Sequence, residues 1–318
     1  MAYNEHYKEA FSDAVLELAG SQKRSLLKEL VGHESKKGEA VFLDAIGPDD
    51  DADTTLLSAT KNRERYEEIE SPDLDDWLDL QTPHMNMNKQ RTLCLPRRID
   101  WGFHFNKENE IAEIADSKSN TLRGGMARVW KGEDALVLTA LSAATVSRGR
   151  NLGALSSVSM PASQQITITT GEAVEDIEKN MFALILEKFE EQYTANERVF
   201  VAMSPAAKRR LIMNSGDKLE SKDFITSVRT LETGQLPDIY GAHAVVVPAL
   251  KVTEGEDETI YAWTEFGVTW NLFDPFIQEI GKSADQRFHW VAYMEEFAGC
   301  VRVDDLRCLQ ITVTGAGS

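Results

Sequence analysis

The sequence predicts an α+β fold, and three observations predict it. Residues 172–213 read as an amphipathic helix, a short apolar strand and a second helix. The last third of the chain carries several β-prone runs punctuated by Gly and Pro. Helices and strands are interspersed without the regular βαβ alternation that builds a doubly wound parallel sheet.

Composition sets the frame. The chain has 318 residues, 42% of them hydrophobic, enough for one large or two modest domains with a real core. Acidic residues outnumber basic ones 52 to 34, for a net charge of −18. A protein that wraps nucleic acid by neutralising phosphates needs the opposite balance, so a DNA- or RNA-binding role is excluded as the main one. The three cysteines, Cys94, Cys300 and Cys308, form no CxxC motif and cannot all pair, which points to a reducing compartment. The first residues have neither a basic n-region nor an apolar h-region, and no apolar run is long enough for a spanning helix. A soluble protein made in the cytoplasm, with no membrane partner, is expected.

In chain order, residues 7–31 are helix-prone. Tyr7, Phe11, Val15 and Leu18 form one stripe, which Leu26, Leu27, Leu30 and Val31 resume after Gly20. Gly32 and Gly38 end it. Such a segment is either an ordinary packed helix or an arm that docks on a neighbouring subunit. Residues 38–105 open and close with strand-like runs, at 39–46 and at 92–105. Between them the sequence is polar and acidic, with few large apolar residues. That middle cannot form a core of its own. A long two-stranded excursion is expected, and because an isolated ribbon is marginal in water it needs another molecule to lie on.

Residues 106–144 return to helix, with Asn106 or Asn109 as candidate caps and Leu122, Met126, Val129, Trp130, Val137 and Leu141 as the apolar stripe. Gly124, Gly125 and Gly132 lie inside it and signal either close packing or a break, since each costs a helix about 1 kcal/mol relative to alanine. The Ser-, Gly- and Arg-rich stretch 146–162 reads as a loop, and 166–168 as a short strand. In the helix–strand–helix unit, Val174, Ile177, Met181, Leu184 and Ile185 recur at helical spacing, and 199–202 is β-prone. Ser204 can cap a helix that Pro205 opens, because proline lacks the N–H that a first-turn residue leaves unpaired. Strands are expected at 239–248, 259–270, 288–297 and 309–313, with turns at Asp274-Pro275 and Asp304-Asp305 and an acidic loop at 254–258.

No constellation supports catalysis. The six histidines show no HExxH pair. Asp49, Asp51 and Asp53 match the first ligand positions of an EF-hand, but Thr54 and Thr60 stand where glycine and the bidentate glutamate belong, so the segment reads as a solvated acidic loop. Ser25-Leu-Leu-Lys28 satisfies S-x-x-K without its usual companions. No GxGxxG, P-loop or GxSxG is present. No catalytic, cofactor-binding or metal-binding residue is assigned, and no cofactor is expected. Lys208-Arg209-Arg210 is the strongest anion candidate, and otherwise the polar face of a short helix.

The order of these elements resembles the major capsid proteins of tailed phages, with the Hong Kong 97-like fold. The residues that carry the resemblance are the Leu-rich step at 18–31, the Val199-Phe200-Val201-Ala202 strand leading through Pro205 into a helix, and Tyr240-Gly241 before an apolar strand ending at Pro248. The resemblance implies an α+β phage capsid fold with an N-terminal arm (1–37) and an extended E-loop (38–105). It further implies a P domain with a long spine helix (106–170), an A domain (171–285) and a return to the P domain (286–318). It implies a shell protein that self-assembles as hexamers and pentamers into an icosahedral head around viral DNA, its place being the virion. Scaffolding, portal and decoration proteins are the implied partners, and packaged DNA is a non-specific content. No long charged segment precedes the arm, so a separate scaffold, or none, is expected. Candidate inter-subunit contacts are Asp49, Asp51, Trp77, Arg97, Arg98, Lys208, Arg209 and Arg210. An encapsulin-type nanocompartment shell protein is the alternative with the same fold; a soluble hydrolase or binding protein is the alternative from another class.

Overall fold

The computed structural model describes residues 25–38, 40–46, 88–105, 120–149, 155–169, 177–191, 197–216, 238, 241–250, 257–283 and 289–314. After a 3₁₀ turn at Lys28–Leu30 come strands β1 (Gly32–Glu34), β2 (Val41–Ile46), β3 (Asn88–Cys94) and β4 (Arg97–Phe105), and then helix α1 (Asn120–Ser142). Strands β5 (Thr145–Gly149), β6 (Ser156–Val158) and β7 (Gln165–Thr169) lead to α2 (Ile177–Glu191), β8 (Val199–Met203) and α3 (Pro205–Gly216). The chain closes with β9 (Ala242–Val246), β10 (Glu258–Thr264), β11 (Val268–Ser283), β12 (His289–Arg302) and β13 (Cys308–Thr314). The mixed α/β composition agrees with the expected class.

The central sheet has the order β7-β13-β10-β8-β9, and both of its faces are covered. All five residues of β8 are buried, so it reads as a continuous apolar run rather than an alternating one. The period of two still operates. Val199, Val201 and Met203 point into a core with Met181, Phe182, Ile185 and Phe189 of α2 and Ala207 and Leu211 of α3. Phe200 and Ala202 point into a second core, on the α1 side. Strand β10 does the same, with Ile260 and Ala262 on the first side and Tyr261 and Trp263 on the second.

The second core lies between α1 and a four-stranded sheet of order β1-β11-β12-β4. Leu122, Met126, Val129, Val137 and Leu141 of α1 are all buried in it, as the apolar stripe predicts. The helix runs unbroken through its glycines, so close packing is their explanation. A Cβ on Gly125 would lie 2.7 Å from the Trp101 ring, and one on Gly132 would lie 2.7 Å from Ile99 Cγ2. Both neighbours belong to β4, and the two glycines let this strand sit directly on the helix.

Several expectations are corrected. The apolar residues at 26–31 form a 3₁₀ turn and then β1, not a continuing α-helix; residues 7–24 lie outside the described residues. Leu27 and Val31 are buried in the α1 core and Trp263 Nε1 donates to the Leu30 carbonyl (2.9 Å), so this stretch packs on its own chain. The expected loop at 146–162 contains β5 and β6, which extend the β2–β3 ribbon into a sheet of order β2-β3-β5-β6. Their polar side chains gave no strand pattern; backbone pairing to β3 through Thr92↔Ser147 and Gln90↔Gly149 recruits them. The base of the excursion therefore rests on its own subunit. Strand β4 has left the ribbon altogether and pairs with β12 from Trp290↔Phe105 to Ala298↔Arg97. Asp274-Pro275 is no chain reversal but a register irregularity inside β11, where proline's missing N–H is tolerated.

Candidate assembly surface

Close packing of β4 on α1 leaves a cleft along their junction. It has a volume of about 340 Å³ and is lined by Arg97, Arg98, Asp100, Arg128, Leu136 and Thr139, among others. Ile99 and Ala135 contribute apolar lining. Arg98 is held in place: it bonds the Tyr293 hydroxyl, lies 5.5 Å from that ring, and pairs with Glu295 (3.1 Å) and Asp100 (3.4 Å). The hydrogen bond to Tyr293, more than the carboxylates, holds the Arg98 pKa above its ordinary value. Arg97 and Arg128 are exposed and have no ion-pair partner among the described residues. The cleft thus presents two guanidinium groups, unpaired among the described residues, beside an apolar lining, which suits an acidic segment with some apolar content.

The basic cluster on α3 divides. Arg210 turns inward and pairs with Glu258, whose side chain is fully buried. Ser204 Oγ donates to the same carboxylate and accepts from Ala207 N (3.0 Å), which is the expected helix cap. Arg210 therefore has a partner inside its own chain, Arg209 is exposed and Lys208 is half-buried. Glu258, expected in an acidic loop, is the first residue of β10. Asp49, Asp51 and Trp77 lie outside the described residues.

A second apolar feature is Phe266, 57% exposed at the β10–β11 hairpin. Arg307 lies 6.0 Å from its ring and is fixed by Glu197 (2.8 and 3.0 Å) and Asp304 (2.9 Å).

The buried polar groups hold the elements together. Lys28 bonds Glu133 of α1 and Glu296 of β12 (3.0 Å), with its ammonium 4.8 Å from the Trp270 ring. Burial pushes the Glu133 carboxyl up to about 7, against the attraction of Lys28. Burial alone would lower Lys28, but the two carboxylates outweigh it and raise its pKa. Ser25 Oγ donates to Asp134 (2.5 Å) and accepts from Lys28 N (3.1 Å). The S-x-x-K match is thus a turn cap and an ion pair with no nucleophile–base geometry. The thiols are free: burial raises Cys94 to about 12 and lifts Cys300 and Cys308 well above their ordinary value.

Sequence reasoning missed Lys28, Glu133, Glu296, Glu258 and Arg302 as structural charges. No local pattern marks them, since Lys28 and Glu296 meet across 268 positions of chain. Among the described residues no group of His, Cys, Asp or Glu side chains is placed to hold a metal, and no helix is long and apolar enough to cross a membrane.

Comparison with known proteins identifies the architecture. A family model described as phage capsid protein matches residues 3–314. Among solved structures, one from Mycobacterium phage Che8 shares the fold at 15% identity, covering 93% of each chain with a TM-score of 0.59. The capsid of cyanophage P-SCSP1u aligns at 10% identity over 93% of this chain and 90% of that one, with a TM-score of 0.57. A virus-like particle from Pyrococcus furiosus aligns at 10% identity over 98% and 100%, with a TM-score of 0.54. No curated protein matches the chain.

Proposed function

The chain belongs to the phage capsid protein family and is a major capsid protein, a subunit of the icosahedral shell of the virion, and from that premise we propose how its parts serve assembly. The α1 helix with the β1-β11-β12-β4 sheet is the P domain, and α1 is its spine. The central sheet with α2 and α3 is the A domain, the wedge that packs around five- and six-fold axes, so in this reading β7 and β13 join the A domain and β11 the P domain, across the boundaries expected at 170/171 and 285/286. Residues 47–87, between β2 and β3, are the reach of the E-loop. The family is a structural one, and the subunit's work is to hold its shape against identical copies.

The observation that carries the reading is the family match, which runs over residues 3–314 of 318. Charge complementarity supports a specific contact. Residues 47–87 contain twelve carboxylates and three Lys or Arg side chains. The cleft with Arg97 and Arg128 on a neighbouring copy is the complementary surface, and Asp49 and Asp51 are the acidic contacts assigned to it. Arg98, Trp77, Lys208 and Arg209 remain assigned to contacts between copies; Arg210 serves its own subunit through Glu258. Copies assemble as hexamers and pentamers, with scaffolding, portal and decoration proteins as the partners the family resemblance implies. A net charge of −18 keeps packaged DNA from adhering to the wall.

Electron microscopy of the purified protein tests the function: shells or capsomers are expected. A strict monomer at high concentration, alone and with its cognate phage proteins, would overturn it. Reversing charge with R97E and R128E tests the docking separately. Assembly should fail, and recover when D49K and D51K are added. Normal shells from the R97E/R128E protein would remove the cleft from the interface while leaving the family assignment intact.

A further inference from the structure

The arm base, α1 and β12 meet at a buried cluster with unequal charge. Lys28 is the single ammonium between the carboxylates of Glu133 and Glu296, whose side chains are each only 6% exposed. Both carboxylates contact the same ammonium, so one negative charge of the pair is left uncompensated in a buried place, and a proton on Glu133 removes it. Among the described residues the surroundings supply no second cation. From the arm, Ser25 faces Asp134, and Asp134 already accepts from Ser25 Oγ and Leu27 N (2.9 Å). From β11 comes the Trp270 ring. From β4, Ile99 stands opposite Glu296 in the ladder. Among the described residues, Lys28 is the only cation paired with either carboxylate.

We propose that Lys28, Glu133 and Glu296 form a proton-operated latch that fastens residues 25–34 to α1. With Glu133 protonated, the cluster is neutral and the arm base is closed. Without it, a net negative charge is buried beneath the arm base, and the closed form is disfavoured. The device belongs to the single subunit and does not depend on the docking of neighbouring copies.

The direction follows from linkage. Glu133 binds its proton more tightly when buried, near 7, than when exposed, near the ordinary 4.5. Closure therefore takes up a proton. The stabilisation is fully present below pH 4.5 and is lost as pH rises through about 7. Lys28, with its pKa raised, stays charged throughout this window. Between the two values, each pH unit changes the closing equilibrium by up to about tenfold.

The test is hydrogen–deuterium exchange of residues 25–34 in the purified full-length protein, corrected for intrinsic rates, between about pH 8.5 and about pH 5.5. Protection should rise on acidification. In E133Q, which keeps the hydrogen-bonding shape and removes the excess charge, protection should be high and flat across the range. Protection in the wild type that does not change with pH, or an E133Q slope equal to the wild-type slope, would overturn the latch. Should E133Q fold poorly, infrared difference spectroscopy of the wild type reads the same proton. A carboxylic-acid carbonyl band titrating near neutrality is expected, and its absence would overturn the proposal equally.

Discussion

Arg302 donates from Nη1 to the carbonyl of Leu141 (3.3 Å), at the last turn of α1. The same nitrogen reaches Ala143 O (3.2 Å), and Nε bonds Asp305. The guanidinium is fully buried and caps helix carbonyls that have no partner within the helix. It therefore ties α1 to the end of β12. R302M removes these donors and leaves Asp305 a buried carboxylate without its cation. We expect a loss of about 3–5 kcal/mol, read from urea unfolding of dissociated subunits. A loss below about 1 kcal/mol would show that water replaces the guanidinium.

Adjacent glycines on α1 should respond with opposite sign. Gly124 is exposed, and a Cβ there would meet nothing within 4 Å, so G124A should stabilise by about 0.5–1 kcal/mol through helix propensity alone. At Gly125 the added methyl would meet the Trp101 ring at 2.7 Å, so G125A should destabilise despite the same propensity gain. Paired thermal melts decide it; equal shifts would mean that β4 can move off the helix.

Val201 is completely buried on the α2 side of β8. V201D places a carboxyl group among Ile185, Ile260 and Ile311 without a partner, at a cost of several kcal/mol. The variant should accumulate as aggregate or melt far below the wild type. An unchanged melting temperature would mean that the strand faces elsewhere.

Replacing residues 48–87 with a short Asn-Gly turn should abolish shell formation and leave a folded subunit, since Ile46 pairs directly with Asn88 and a hairpin loop needs at least two residues. The replacement has to stop before Asn88, because β3 is paired on both sides, with β2 and with β5. Circular dichroism and microscopy separate the two properties. Loss of folding would show that the excursion belongs to its own subunit's core.

Legibility followed the physical source of each element. Strands β8, β9 and β13 were visible because burial demands apolar runs, and their ends carry Ser204-Pro205, Gly241 and Asp304. Helices α1 and α2 were visible through the spacing of Leu122, Met126 and Val129 and of Met181 and Ile185. Strands β5 and β6 were not, since what makes them strands is the open edge of β3. The 3₁₀ turn at Lys28–Leu30 follows from Asp134 and Trp263, more than a hundred positions away. Of the candidate contacts, Arg97 and Arg98 fall together in one cleft, whereas the inward turn of Arg210 depends on a carboxylate 48 residues downstream.

The place of β13 in the central sheet has a consequence for synthesis. This last strand does not sit at an edge; it lies between β7 and β10, and it pairs Gln310 with Gln165 across 145 positions of sequence. Leu309, Ile311 and Val313 then complete the α2 side, while Cys308 completes the α1 side. A chain still on the ribosome cannot close either core until residues 308–314 emerge. Folding waits on this latest pairing, a long-range one, which is intrinsically slow. A subunit cut short of β13 would leave both cores open, with the apolar residues of β7 and β10 that face β13 exposed.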